Sequence, residues 1–117
     1  MLQTASILFV ITALGGLLMA VIRFATKHNP PAWLAMVHGL VAASGLTLAI
    51  YALCTQPVPS TVLFAVVLFL LAAGGGAVMS LAYKWRERLL PAWLVIVHAL
   101  IAVIALGVLL LAVFGAG

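Results

Sequence analysis

The chain has 117 residues, of which 68% are hydrophobic and only 5% are charged. So few polar side chains cannot cover a surface that faces water, which excludes an ordinary soluble domain and indicates an integral membrane protein in contact with lipid. The formal net charge is +4 and rests on five cationic residues. That charge is too small and too close to the apolar segments to indicate a nucleic-acid partner, and we expect none.

Four apolar stretches are each long enough to cross a hydrocarbon core of about 30 Å, which requires roughly 20 helical residues. In chain order they are Ala5–Phe24, Pro31–Leu53, Thr61–Tyr83 and Leu90–Phe114. Unpaired backbone groups are costly in lipid, so each stretch is predicted to be a helix. Short connections make neighbouring helices antiparallel. The sequence therefore predicts one all-α domain over residues 1–117, an up-down-up-down four-helix bundle.

The cationic side chains all lie in two of the three connections. They are Arg23 and Lys27 in the first, and Lys84, Arg86 and Arg88 in the third. The positive-inside rule predicts that this edge is cytoplasmic and that both termini and the turn at residues 55–60 lie on the outer side. The expected location is a bacterial cytoplasmic membrane. Cys54 is the only cysteine, which excludes an internal disulfide.

The two halves of the chain resemble each other. Aligned without gaps, residues 5–54 and residues 65–114 are identical at 17 of 50 positions. The identical positions include uncommon residue types, namely Gly15, Gly16, Met19, Pro31, Trp33 and His38 with Gly75, Gly76, Met79, Pro91, Trp93 and His98. Because the repeated unit is a two-helix hairpin, its copies are predicted to be parallel and related by an axis along the membrane normal.

The duplication places one histidine at the same point of the second and fourth helices. His38 and His98 each lie seven residues, or about 10 Å, inside the proline that opens their helix. In the predicted bundle these two helices lie on a diagonal, so the imidazoles can face each other at one depth. Ionisable groups within a membrane are functional by default, and we interpret the pair as a ligand site. A proton or substrate site and a purely structural role remain as alternatives.

Glycines of the first and third helices, Gly15 with Gly16 and Gly75 with Gly76, lie near the depth of the histidines. We expect them to provide gaps, although small residues also serve close helix packing. On the histidine helices the small residues at Ala42, Gly45, Ala102 and Ala105 are expected to leave room beside an axial ligand. Zinc would require further N, S or O ligands, which are missing at this level. A porphyrin requires two axial imidazoles and flat space, so iron in a haem fits the pattern best.

This arrangement resembles the four-helix haem-binding core of membrane cytochromes b. His38, His98, Gly16 and Gly76 match that pattern, with Gly15 and Gly75 beside them. The resemblance implies b-type haem, with the two histidines as its iron ligands and the glycines admitting the porphyrin. Its carboxylates are expected to point toward the nearer edge and to pair with the cations there.

The chain departs from the two-haem members of that family. Where those members carry a second histidine pair, this chain has Tyr51-Ala52 and Leu111-Ala112. We therefore expect one haem per chain, near the cytoplasmic edge. This departure puts electron transfer across the whole membrane by this chain alone in doubt.

The sequence favours an electron-transfer protein or a haem-dependent membrane oxidoreductase. A quinone or a redox partner protein is the expected partner, besides the lipid bilayer. The alternatives are a small four-span transporter or channel that works as a homo-oligomer, and an accessory subunit of a larger complex. The transporter is disfavoured because the only carboxylate side chain, Glu87, lies in a connection and not within a span.

Overall fold

The computed structural model describes residues 1–115, and the secondary structure of this part is helical. The four helices are α1 (Leu2–Thr26), α2 (Ala32–Thr55), α3 (Ser60–Val78) and α4 (Ala92–Phe114). All four predicted stretches are confirmed as helices, and each helix is long and apolar enough to cross a membrane, α3 together with the turn that extends it. The last two residues of the predicted domain lie outside the described residues.

Prolines set where three of the helices begin. Pro31, Pro59 and Pro91 each stand immediately before the first residue of α2, α3 and α4, with ψ between 135° and 146°. Proline has a fixed φ and no N–H group, so it suits a helix entry and not a helix interior. The second and fourth helices therefore begin one and two residues later than the apolar stretches predicted.

The end of the third helix is irregular. Beyond α3 the chain continues as a π-helical turn over Met79–Lys84, in which the Trp85 N–H donates to the Ser80 carbonyl at 2.9 Å. The corresponding part of α1 is regular α-helix. A π-helical turn closes its hydrogen bonds over five residues instead of four, so it changes which side chains share a face.

The helices form a ring of contacts in chain order. α1 packs mainly against α2, and α3 mainly against α4, while α1 with α4 and α2 with α3 complete the ring. α1 therefore lies opposite α3, and α2 lies opposite α4. The predicted diagonal placement of the histidine helices agrees with these contacts.

The tightest packing lies in the half of the bundle away from the basic connections. There the rings of Phe9 and Phe69 stack across the bundle with centroids 3.8 Å apart and planes within 5°. Fully buried side chains of all four helices surround the stacked rings, including Ala5, Ala49, Val62, Ala65, Ala105 and Leu109. Because lipid is as apolar as these side chains, it is their close van der Waals packing that holds the four helices together at this end.

At the opposite end, polar groups tie the two basic connections together. The Asn29 side-chain amide donates to the Arg88 carbonyl at 2.7 Å, and its oxygen accepts from the Leu90 N–H at 2.9 Å. Arg23 adds a third bond, from Nε to the Leu90 carbonyl at 2.8 Å. Both connections reverse through a residue with positive φ, Lys27 at 59° and Glu87 at 56°. The bundle thus has an apolar core at one end. At the other end, these three hydrogen bonds join the connections, and we call them the clasp.

Candidate functional site

His38 of α2 and His98 of α4 lie opposite each other across the bundle. Their ring centroids are 6.3 Å apart and the ring planes are inclined at 63°. Both side chains are half-buried. The structure therefore brings together the two histidines that the sequence paired, although they are sixty residues apart in the chain.

Each imidazole is held by a backbone carbonyl of the neighbouring helix. His38 Nδ1 lies 2.9 Å from the Thr12 carbonyl oxygen, and His98 Nδ1 lies 2.7 Å from that of Ala72. A carbonyl oxygen only accepts, so in both rings Nδ1 must carry the proton and donate it. In a neutral imidazole this leaves the lone pair on Nε2, the nitrogen available to a ligand.

Neither Nε2 atom makes a hydrogen bond within residues 1–115. Among the described residues, Lys84 Nζ is the one buried side-chain nitrogen or oxygen that lacks a hydrogen-bond partner. Because the two Nε2 atoms also lack a partner, it follows that they are not fully buried. The two imidazoles thus present unpaired, accessible acceptors in the middle of the bundle. Within the same residues there is no cluster of three or more His, Cys, Asp or Glu side chains, so the donor set is the two nitrogens.

The glycines lie directly against the histidine rings. A Cβ atom added at Gly16 would lie 3.0 Å from His38 Cε1, and one at Gly76 would lie 3.5 Å from His98 Cε1. The neighbouring glycines also face the rings, since a Cβ would lie 3.9 Å from His38 Nδ1 at Gly15 and 3.5 Å from His98 Nδ1 at Gly75. The glycines therefore face the histidine rings, and the imidazoles occupy the space that a side chain at these positions would take.

The small residues of the histidine helices divide into two groups. Gly45 and Ala105 are buried in the apolar core, and a Cβ at Gly45 would lie 3.3 Å from the Phe9 ring. At Gly45 the room expected beside an axial ligand is thus filled by the Phe9 ring, and Ala105 is fully buried in the same core. Ala42 and Ala102, one turn beyond each histidine, are only half-buried.

Side chains one turn closer to the basic connections are also incompletely covered. Met19 and Met79, three residues beyond Gly16 and Gly76, are both half-buried. Residues at this spacing share a helix face with the glycines. The side chains around the histidines are therefore less completely buried than those around the phenylalanine pair.

The five cations differ in what surrounds them. Lys27, Arg86 and Arg88 are exposed. Arg23 is half-buried, its Nε is bonded to the Leu90 carbonyl, and its guanidinium lies over the Phe24 ring at 5.4 Å from the centroid. The Lys84 ammonium is buried and has no hydrogen-bond partner in residues 1–115. Three of the cations are thus exposed, Arg23 is engaged in contacts, and Lys84 is a half-buried residue whose ammonium nitrogen is covered.

Sequence reasoning missed the groups that orient the imidazoles. Thr12 and Ala72 occupy equivalent positions, but they act through their backbone carbonyls and their side chains differ. No residue type marks such a role. The Phe9–Phe69 pair could have been found, because both positions are identical between the repeats.

Comparison of the chain with protein-family models, with curated proteins and with solved structures gave no match.

Proposed function

We propose that the chain is a membrane b-type cytochrome that binds one haem b between His38 and His98 and transfers electrons. The observation that carries the proposal is the pair of imidazoles, each with Nδ1 bonded to a carbonyl and Nε2 left open. Metal-ligating histidines commonly donate the other ring N–H to a carbonyl, which fixes the tautomer and raises the basicity of the ligating nitrogen.

The separation of the rings supports ligation of one ion by both histidines. Two metal–nitrogen bonds of about 2 Å, with a ring radius at either end, separate the centroids of opposed imidazoles by about 6 Å. The observed separation is 6.3 Å. His38 and His98 would hold the group through their Nε2 atoms, and the planes of the two rings are inclined at 63°.

The cofactor supplies one-electron chemistry between ferrous and ferric iron when it is bound. The protein's own part is to hold two neutral imidazoles opposite each other, with ring centroids 6.3 Å apart. The carbonyls of Thr12 and Ala72 set the ring orientation, and the buried core beyond Gly45 and Ala105 closes the site toward one membrane face.

The proposal includes a bundle of two parallel hairpins in up-down-up-down order. Equivalent features support the duplication. The imidazole–carbonyl bonds both span 26 residues, the stacked phenylalanines are 60 positions apart, and so are the positive-φ residues Lys27 and Glu87. We place the basic connections on the cytoplasmic side by the positive-inside rule. A quinone or a redox partner protein would exchange electrons with the site.

An absorption spectrum of the protein purified in mild detergent tests the proposal. We expect about one b-type haem per chain, six-coordinate in both oxidation states. His38→Ala and His98→Ala should each abolish the six-coordinate spectrum, because each removes one axial ligand. His28→Ala is the matched control, since this exposed ring bonds only to its neighbour Thr26 at 2.9 Å and its loss should leave the spectrum unchanged.

The outcomes separate the alternatives. Protein that stays colourless with ample haem, and that takes up none on titration, would exclude the cytochrome and leave the transporter or the accessory subunit. An unchanged spectrum in only one of the two alanine variants would mean that the ligand pair is misassigned.

A further inference from the structure

Lys84 is the least expected feature of the basic end. Its ammonium nitrogen is buried and lacks a hydrogen-bond partner within residues 1–115. Burying an unpaired ammonium is costly, and lysines near the ends of membrane helices normally extend their stems to carry the charge into water. Exposed cations at this edge, such as Lys27 and Arg86, follow that rule. Lys84 does not.

The backbone around Lys84 is also exceptional. It is the last residue of the π-helical turn at Met79–Lys84, whereas α1 passes through the equivalent positions as regular α-helix. A π-helical turn changes the register of the side chains and is found frequently at functional sites. The altered register accompanies the burial of this one cation, so the irregular backbone and the unpaired charge occur together.

We infer that the Lys84 ammonium is the internal counter-charge for a carboxylate of the porphyrin, one propionate of haem b. The inference rests on the proposed function. Lys84 follows Gly76, which lies against the His98 ring, by eight residues, or at most about 12 Å along the helix axis at the α-helical rise. A propionate arm and a lysine stem together cover such a distance. The pair would satisfy the buried ammonium with a charge-assisted hydrogen bond.

The other cations are less suited to this role. The Arg23 Nε is already bonded to the Leu90 carbonyl, and the guanidinium lies over the Phe24 ring. Exposed cations are screened by water and salt, so each contributes little to holding a carboxylate. A charge that is already buried interacts more strongly. Lys84 therefore ranks above the other four cations that the sequence offered.

The test uses the full chain without haem and two porphyrins. Wild type, Lys84→Met, Lys84→Arg and Lys27→Met are titrated in detergent with haem b and with its dimethyl ester, which lacks both carboxylates. Lys84→Met should weaken binding of haem b about tenfold, which corresponds to about 1.4 kcal/mol, and should leave binding of the ester unchanged. Lys84→Arg keeps the charge and should restore most of the affinity. Lys27→Met should have a smaller effect.

A redox titration gives a second readout. The Lys84→Met protein should have a lower midpoint potential with haem b, because a nearby positive charge favours the reduced haem. Wild type that binds both porphyrins equally tightly, or Lys84→Met that weakens both equally, would overturn the inference. Equal binding of both porphyrins by wild type would overturn the inference even if the variant does not fold. If wild type bound neither porphyrin, the proposed function itself would fail.

Discussion

At the scale of single residues, the site depends on how two imidazoles are held in place. A carbonyl of the adjacent helix fixes one nitrogen of each ring, and a glycine allows the ring to approach that helix. Sequence alone predicts His38, His98 and the glycines as site residues, because uncommon residue types recur at equivalent positions. It did not reveal that each ring lies on its glycine. Spacing along a helix gives the depth of a residue but not the direction of a flexible side chain.

The close approach at Gly16 leads to a graded prediction. Gly16→Ala would place a Cβ 3.0 Å from the His38 ring, whereas Gly76→Ala would place one at a tolerable 3.5 Å from the His98 ring. Gly16→Ala should therefore weaken haem binding more. Crowding of a packed group costs about 1–3 kcal/mol, which corresponds to roughly fivefold to more than a hundredfold in affinity. Haem titration in detergent measures the difference.

Gly74→Ala serves as the control for this prediction. A Cβ at that position meets no atom within 4 Å, and the residue lies on the same helix as Gly76. It should bind haem as wild type does. Equal losses in all three variants would show that helix backbone effects, and not contact with the ring, limit binding.

At the scale of the elements, the helices were predictable from sequence, whereas the hydrogen bonds between the connections were not. The apolar stretches identified the helices because about twenty apolar residues can do little else in lipid. The clasp at the basic end was not predictable. Asn29 makes two bonds to residues about sixty positions away, and it has no counterpart in the second half, where Leu89 occupies the equivalent position. A single amide in a short turn gives no signal of such a partner.

The clasp leads to a prediction about stability. Asn29→Ala removes the bonds to Arg88 and Leu90 and leaves the Leu90 N–H unpaired. We expect the free energy of unfolding to fall by about 1–3 kcal/mol. Denaturation in detergent, followed by loss of the helical circular dichroism, measures the change. His28→Ala, one residue earlier and exposed, should leave stability nearly unchanged. Equal stability of Asn29→Ala and wild type would mean that the clasp contributes nothing.

At the scale of the whole molecule, the two ends of the bundle differ in packing and in the residues they contain. One end is a sealed apolar core around Phe9 and Phe69, and the other contains the histidines, the half-buried small residues and the cations. The missing second histidine pair predicted a single site. The structure shows that the stacked rings of Phe9 and Phe69 lie between the histidines and the end of the bundle away from the basic connections. The two phenylalanines are identical positions of the repeat, but their stacking joins α1 and α3, which lie opposite each other, and spacing along the chain does not give that contact.

This asymmetry predicts that electrons enter and leave from the basic edge. His38 lies about 10 Å along α2 from Pro31 but about 25 Å from Thr55. Electron transfer slows steeply with distance, so a reductant that cannot cross the membrane should reduce the haem much faster from the side of the basic connections. Cys54, the only cysteine and exposed near the other end of α2, reports orientation in vesicles through labelling with an impermeant thiol reagent. Vesicles sorted in this way should show fast reduction only when Cys54 faces the lumen, and detergent should abolish the difference. Equal rates in both orientations would place the haem nearer the membrane centre than the histidines allow.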